Sequence, residues 1–130
     1  MILVDSSVWV DYFNGQDTLQ TAKLDALLGI EPLAIGDLIL TEVLQGFHTD
    51  TDFAQAKELL LSLTVFAMLG VENAVRSAEH YRALRKRGFT IRKTVDVSIA
   101  TFCIREGHSL LFSDKDFIPF VEQFGLREVI

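Results

Sequence analysis

Apolar residues in this chain arrive in short bursts separated by polar positions. Ile2 to Val4, Pro32 to Ile35, Val65 to Leu69, Ser109 to Phe112 and Leu126 to Val129 have the length of strands, and helical spacing fills the intervals between them. In the clearest interval Val71, Ala74, Val75, Ala78, Tyr81 and Leu84 form one apolar face, which ends before Gly88, a residue suited to the left-handed turn that stops a helix. Alternating β and α segments predict a mostly parallel sheet of about five strands covered by helices on both faces and joined by right-handed crossovers. Phe47 to Phe53 reads as the most exposed connection. With no internal repeat, low-complexity tract or linker, residues 1–130 read as one domain.

Composition narrows the picture. No stretch approaches the ~18 apolar residues of a membrane span, and Met1 runs directly into Ile2-Leu3-Val4 and then Asp5, without the basic region that opens a secretory signal. A cytoplasmic protein is expected. The single cysteine, Cys103, lies in the apolar pattern of a helix and reads as a buried thiol, so no disulfide can form within the chain. A net charge of −6 argues against general binding to a phosphate backbone. Distribution modifies that inference, because six of the twelve Lys and Arg residues fall at Arg82, Arg85, Lys86, Arg87, Arg92 and Lys93. Two readings stay open: a solvated helix end, where cations suit the dipole, or a local strip for phosphate.

The acidic residues carry the candidate chemistry. Asp5 ends the first apolar run, at the carboxyl end of a strand where open α/β sheets place ligands, although Asp before Ser6-Ser7 also reads as a helix N-cap. Glu42 lies inside the helical segment Leu38 to Leu44; at about 100° per residue it projects between Leu38 and Ile39, within the apolar arc. Asp96 projects in the same way between Ala100 and Cys103. A carboxylate on a buried face is costly unless it is paired with Lys or Arg or coordinated to a metal, and for Asp96 a place in a first helical turn offers a further benign explanation. Asp114 and Asp116 follow Leu110-Leu111-Phe112-Ser113 at another strand-to-helix turn, where capping accounts for one of them. Carboxylates that converge tolerate their mutual charge with a cation among them, and oxygen-only ligands favour Mg²⁺ or Mn²⁺. Such ions serve the hydrolysis of phosphodiesters.

Four segments together resemble the PIN-domain ribonucleases, and most closely the VapC toxins of prokaryotic toxin–antitoxin pairs. Ile2-Leu3-Val4-Asp5-Ser6-Ser7-Val8-Trp9 is similar to the family's first strand and helix, Thr41-Glu42-Val43 with Gly46 to its second motif, Asp96 within Val95 to Ala100 to its third, and Leu110 to Phe117 to its fourth. The resemblance spans nearly the whole chain. It implies a PIN-like three-layer α/β/α sandwich and a metal-dependent endoribonuclease in which Asp5, Glu42, Asp96 and Asp114 are catalytic and, with Asp116, bind Mg²⁺ or Mn²⁺. It also implies tRNA or another structured RNA as substrate, a VapB-like antitoxin as partner, and a homodimer. Phe112 stands where the family often has Thr, which puts a hydroxyl contact in doubt. Two other readings remain: an α/β phosphatase or phosphotransfer domain, which would want another Asp where Ser7 stands, and a catalytically degenerate fold serving as a binding module. His48, His80 and His108 show no ligand spacing, and Trp9, Tyr12 and Phe13 read as helix packing.

Overall fold

The computed structural model describes residues 1–130. Five strands, β1 (Ile2–Val4), β2 (Leu33–Gly36), β3 (Thr64–Phe66), β4 (Ser109–Leu111) and β5 (Arg127–Glu128), form one sheet in the order β3-β2-β1-β4-β5. Every pairing is parallel, with Leu3 opposite Ala34 on one side and Leu110 on the other. Between the strands lie α1 (Ser6–Phe13), α2 (Leu19–Leu27), α3 (Asp37–Leu44), α4 (Asp50–Leu61), α5 (Val71–Lys86), α6 (Thr94–Glu106) and α7 (Ile118–Phe124), with a 3₁₀ turn at Lys115–Phe117.

The direction of travel across the sheet reverses once. Chain progress from β1 to β2 to β3 moves one way, and from β3 over to β4 and β5 it moves the other. Right-handed crossovers therefore put α1 to α4 on one face and α5 to α7 on the opposite face. The helix contacts follow that division: α1 packs on α2 and α3, and α5 packs on α6. The central strands are sealed on both sides, with Leu3, Val4, Ala34, Ile35 and Leu110 fully buried. The reversal falls between β1 and β4, and the crevice beyond their carboxyl ends is where such sheets hold ligands.

Five segments differ from the sequence pattern, β2 by a single residue at each end, Leu33–Gly36 in place of Pro32 to Ile35. β3 begins at Thr64 and stops at Phe66, because Met68 turns inward and Leu69 outward rather than continuing the ladder. β5 shrinks to Arg127–Glu128, an exposed edge, and β4 ends at Leu111, one residue short of Phe112. The connection expected at Phe47 to Phe53 is exposed, as its sequence implies, but it is shorter than that segment. Asp50–Phe53 is the first turn of α4, with the Thr49 side chain accepting from Asp52 N at 3.2 Å, and the Phe47 ring meets Phe13 edge-on at 5.4 Å.

One close approach fixes how β2 leads into α3. A Cβ at Gly36 would collide with the Met68 side chain, which is 1% exposed and fills the space beneath the strand end. Met68 cannot retreat easily, since its backbone N–H donates to Asp37 Oδ1 at 3.0 Å. Gly36→Ala is therefore expected to destabilise the protein by about 1–3 kcal/mol through overpacking, and Met68→Ala by about 2–5 kcal/mol through a cavity. Denaturant titrations of both variants and the double variant should reveal coupling, with the double variant no less stable than Met68→Ala alone; strict additivity would contradict the assigned contact.

Candidate functional site

The site is assembled at the reversal. Asp5 follows β1 and is the N-cap of α1: its Oδ2 accepts from Ser7 N at 3.1 Å and from Ser7 Oγ at 2.7 Å. Both of its sequence readings therefore hold at once, strand-end placement and capping. Its other oxygen, Oδ1, is buried without a hydrogen-bond partner. Ser7 Oγ in turn accepts from Ser113 N at 3.3 Å, which ties the turn after β1 to the turn after β4. Across the sheet order, Asp114 caps the 3₁₀ turn by accepting from Asp116 N at 2.9 Å.

The helical acids reach the same place from opposite faces. Glu42, on α3, accepts a hydrogen bond from Ser6 Oγ at 3.2 Å. Asp96 sits in the first turn of α6, a helix buried continuously from Asp96 to Cys103, and is only 4% exposed; its Oδ2 also lacks any partner. Asp96, Asp114 and Asp116 each bring one carboxylate oxygen within 4.8 Å of the others. Asp5 and Glu42 lie outside that tight trio but within electrostatic reach. Burial raises the Asp5 carboxyl above its ordinary range, against the opposing pull of the Ser7 hydrogen bonds, and Asp114 raises it further. Glu42 is raised by burial and then by Asp5. Asp96 is pushed up to about 7, first by burial and then by the charges of Asp5 and Asp114.

Counter-charge is sparse. Arg92 lies 3.3 Å from Asp116, and no Lys or Arg stands within ion-pair distance of Asp5, Glu42, Asp96 or Asp114. The simplest benign account of Glu42, pairing with a cation, thus gives way to a neutral hydroxyl partner. Lys93 acts at longer range, lowering Glu42 and Asp96 somewhat. Ser6 was the residue that motif reading passed over; its position between Asp5 and Ser7 was the available signal.

The basic run is not one strip. Arg85 and Lys86 close α5 as a solvated helix end, Arg85 lies over the Tyr81 ring at 5.7 Å, and Arg87 bonds to Gln123 and covers Phe124 at 5.2 Å. Arg92 and Lys93, by contrast, turn toward the acids. Cys103 is buried and its thiol is pushed up to about 12 by desolvation, which makes it inert. His80 stacks on Phe124 at 4.4 Å with Nδ1 2.9 Å from Thr101 Oγ1, a packing arrangement.

An all-oxygen set of converging carboxylates, two of them carrying buried oxygens with nothing to bind, fits a hard divalent cation. No helix is long and apolar enough to cross a membrane.

Comparison with known proteins agrees with this geometry. The model of the PIN domain family matches residues 2–120. A VapC ribonuclease of Mycobacterium bovis is 33% identical over 122 residues, covering 90% of this chain and 89% of the relative. The fold matches that of VapBC2 from Rickettsia felis, solved bound to a DNA fragment from its promoter, with a TM-score of 0.73 at 19% identity, covering 98% of this chain and 97% of that one. It also matches Mycobacterium tuberculosis VapC20, a sarcin-ricin loop cleaving toxin, with a TM-score of 0.68 at 17% identity over 91% of this chain and 93% of that one.

The raised carboxyls make a prediction about stability. Below its ordinary value of 3.8, Asp96 is protonated whether the chain is folded or not; between 3.8 and about 7 the unfolded chain releases the proton while the folded chain keeps it. Stability is thus lost as pH rises through that window, and the raised values of Asp5 and Glu42 act with the same sign. In chelator, the melting temperature should be lower near pH ~8 than near pH ~5, and Asp96→Asn should shrink the difference. A melt that instead rises steadily with pH over this range would show that the carboxylates are not mutually strained.

Proposed function

The chain belongs to the PIN-domain family and, within it, to the VapC ribonucleases, and we propose from that premise that it is a Mg²⁺- or Mn²⁺-dependent endoribonuclease, the toxin of a VapBC pair. The observation that carries the metal assignment is the pair of buried, unpartnered oxygens on Asp5 and Asp96 inside a group of acids with almost no cationic neighbour. Asp5, Glu42, Asp96 and Asp114 would hold one or two divalent ions, with Asp116 contributing at the rim. Such an ion supplies Lewis-acid chemistry: it lowers the pKa of a water molecule and neutralises charge on the phosphate being cleaved.

The protein's own groups do the positioning. Ser7 fixes Oδ2 of Asp5 through two hydrogen bonds and leaves Oδ1, buried and unpartnered, free to bind a cation. Ser6 orients Glu42. Asp96, fixed in the first turn of a buried helix, is pushed up to about 7 by burial and by the charges of Asp5 and Asp114, which a cation would compensate. Arg92 bonds to Asp116 and keeps an exposed guanidinium that can meet a phosphate. The phosphatase reading fits less well, because that pattern wants a second Asp two positions after the first, where Ser7 stands, and gives no role to Glu42. Phe112 stacks obliquely on Phe117 at 5.2 Å, so its ring serves packing and supplies no hydroxyl.

The same reading makes residues 1–130 a single PIN domain that works in the cytoplasm as a homodimer on tRNA or another structured RNA, held in check by a VapB-like antitoxin. Expression alone should arrest growth and co-expression with the adjacent small gene should relieve it, while light scattering should give a dimer. Harmless expression of an intact chain would argue against the toxin role.

Cleavage of RNA by the purified protein tests the chemistry. Chelator should abolish it and Mg²⁺ or Mn²⁺ restore it; Asp5→Asn, Glu42→Gln and Asp96→Asn should each nearly eliminate it, with Asp114→Asn milder because Asp116 lies alongside. Ser7→Ala, which removes the hydroxyl that bonds Asp5 Oδ2 and accepts from Ser113 N but leaves the backbone bond from Ser7 N, should cost roughly 10–100-fold in metal affinity or rate. Wild-type cleavage in chelator, or by Asp96→Asn, would overturn the assignment.

A further inference from the structure

Beside the acidic site lies a second concave feature that the acids do not use. A cleft of about 440 Å³ opens between α5 and α6, within the roughly 300–1,000 Å³ typical of small-ligand sites. Its walls include Leu69, Ile91, Val97 and the Tyr81 ring, and its polar groups include the guanidiniums of Arg82 and Arg92 beside the hydroxyls of Ser77, Thr94 and Ser98. Ile91 and Val97 are almost fully buried, whereas Arg82, Arg92 and Thr94 are exposed, so the apolar surface lies deep and the charge lies toward solvent. The Tyr81 ring is braced by Arg85 at 5.7 Å.

Three features identify an occupant. The cleft neighbours the acidic site, because Arg92 both lines it and contacts Asp116 at 3.3 Å. In a chain of net charge −6 it presents two guanidiniums and no carboxylate, which suits an anionic ligand. Apolar side chains and an aromatic ring lining one cleft with exposed guanidiniums are the chemistry that recognises an unstacked base with its phosphate, since single-stranded RNA is held by stacking on aromatic side chains and by Arg. A second copy of this chain is the competing occupant, but it would have to bury both guanidiniums against counter-charges of its own.

We propose that the cleft between α5 and α6 receives one unpaired nucleotide of the RNA, next to the phosphate cleaved at the acids: its base lies against Ile91, Val97 and Tyr81, and its phosphate lies between Arg82 and Arg92. The proposal rests on the ribonuclease reading of the acidic site. It adds a requirement that the acids do not impose, namely that the nucleotide flanking the scissile bond be free to leave its stack. Arg92 then has two partners in turn, Asp116 in the free protein and the RNA phosphate when the cleft is filled.

Ala78→Trp fills the cleft from an exposed position on α5 without touching the acids, and Arg82→Ala removes one guanidinium. With a single-stranded oligouridylate and Mn²⁺, each variant should raise KM about tenfold, the scale of one lost stacking or ionic contact, while kcat and Mn²⁺ affinity stay within about twofold. An oligouridylate carrying 5-iodouridine, irradiated with the wild-type protein in Ca²⁺, should crosslink at Tyr81 or its neighbours in the cleft. The proposal is overturned if both variants keep the wild-type KM, if crosslinks form only outside the cleft, or if the wild-type protein captures no oligouridylate. A change of oligomeric state in Ala78→Trp with an unchanged KM would assign the cleft to a second copy. Because crosslinking does not depend on turnover, a wild-type protein that crosslinks in the cleft yet never cuts RNA would refute the ribonuclease reading and leave the cleft as a nucleotide site.

Discussion

Mutual repulsion among carboxylates is the constraint around which the rest of this structure is arranged. Five acids meet where the crossover direction reverses, at the ends of β1 and β4 and on the helices that arrive from both faces. Bringing them together raises Asp5, Glu42 and Asp96 above their ordinary range, chiefly through burial and then through one another. The strain is held by ordinary packing: Leu3, Val4, Leu110 and Ile99 are fully buried around the crevice, and α6 is encased on all sides. A rigid, tightly packed floor is what allows so unfavourable a cluster to persist, and it leaves a bound cation as the natural source of relief.

Much of this was legible in the chain. Strand-length apolar runs and the helical spacing between them led to the parallel sheet, because both faces of a parallel strand must be apolar and its crossovers demand helices. Glu42 and Asp96 could be singled out because a charged residue inside an apolar arc is an anomaly that periodicity exposes. What could not be read was anything decided by contacts distant in sequence. The end of β3 depends on Met68 turning under Gly36, and the order at Asp50–Phe53 depends on a cap and on Phe47 meeting Phe13.

The basic run shows the same limit from another side. Six cations close in sequence suggested either one solvated helix end or one phosphate strip, and the fold divides them. Arg85, Lys86 and Arg87 finish a helix, Arg92 and Lys93 are carried by the following connection toward the acids, and Arg82 shares a cleft with Arg92. Charge density along a chain is thus a poor guide to charge density in space once a turn intervenes. Ser6 illustrates the converse, since an unremarkable hydroxyl became the partner of Glu42 only because α1 and α3 pack together.

The double employment of Asp5 bears on how such proteins decay. One of its oxygens caps α1 and the other is buried without a partner, so a descendant that had lost catalysis would still be held to Asp at this position by the folding of its first helix. Asp114, which caps the 3₁₀ turn, is under a similar obligation. Asp96 caps nothing, and its Oδ2 is buried without a partner. In lineages related to this chain, the loss of Asp96 should therefore be the early mark of a retired enzyme, while Asp5 lingers as a relic of architecture.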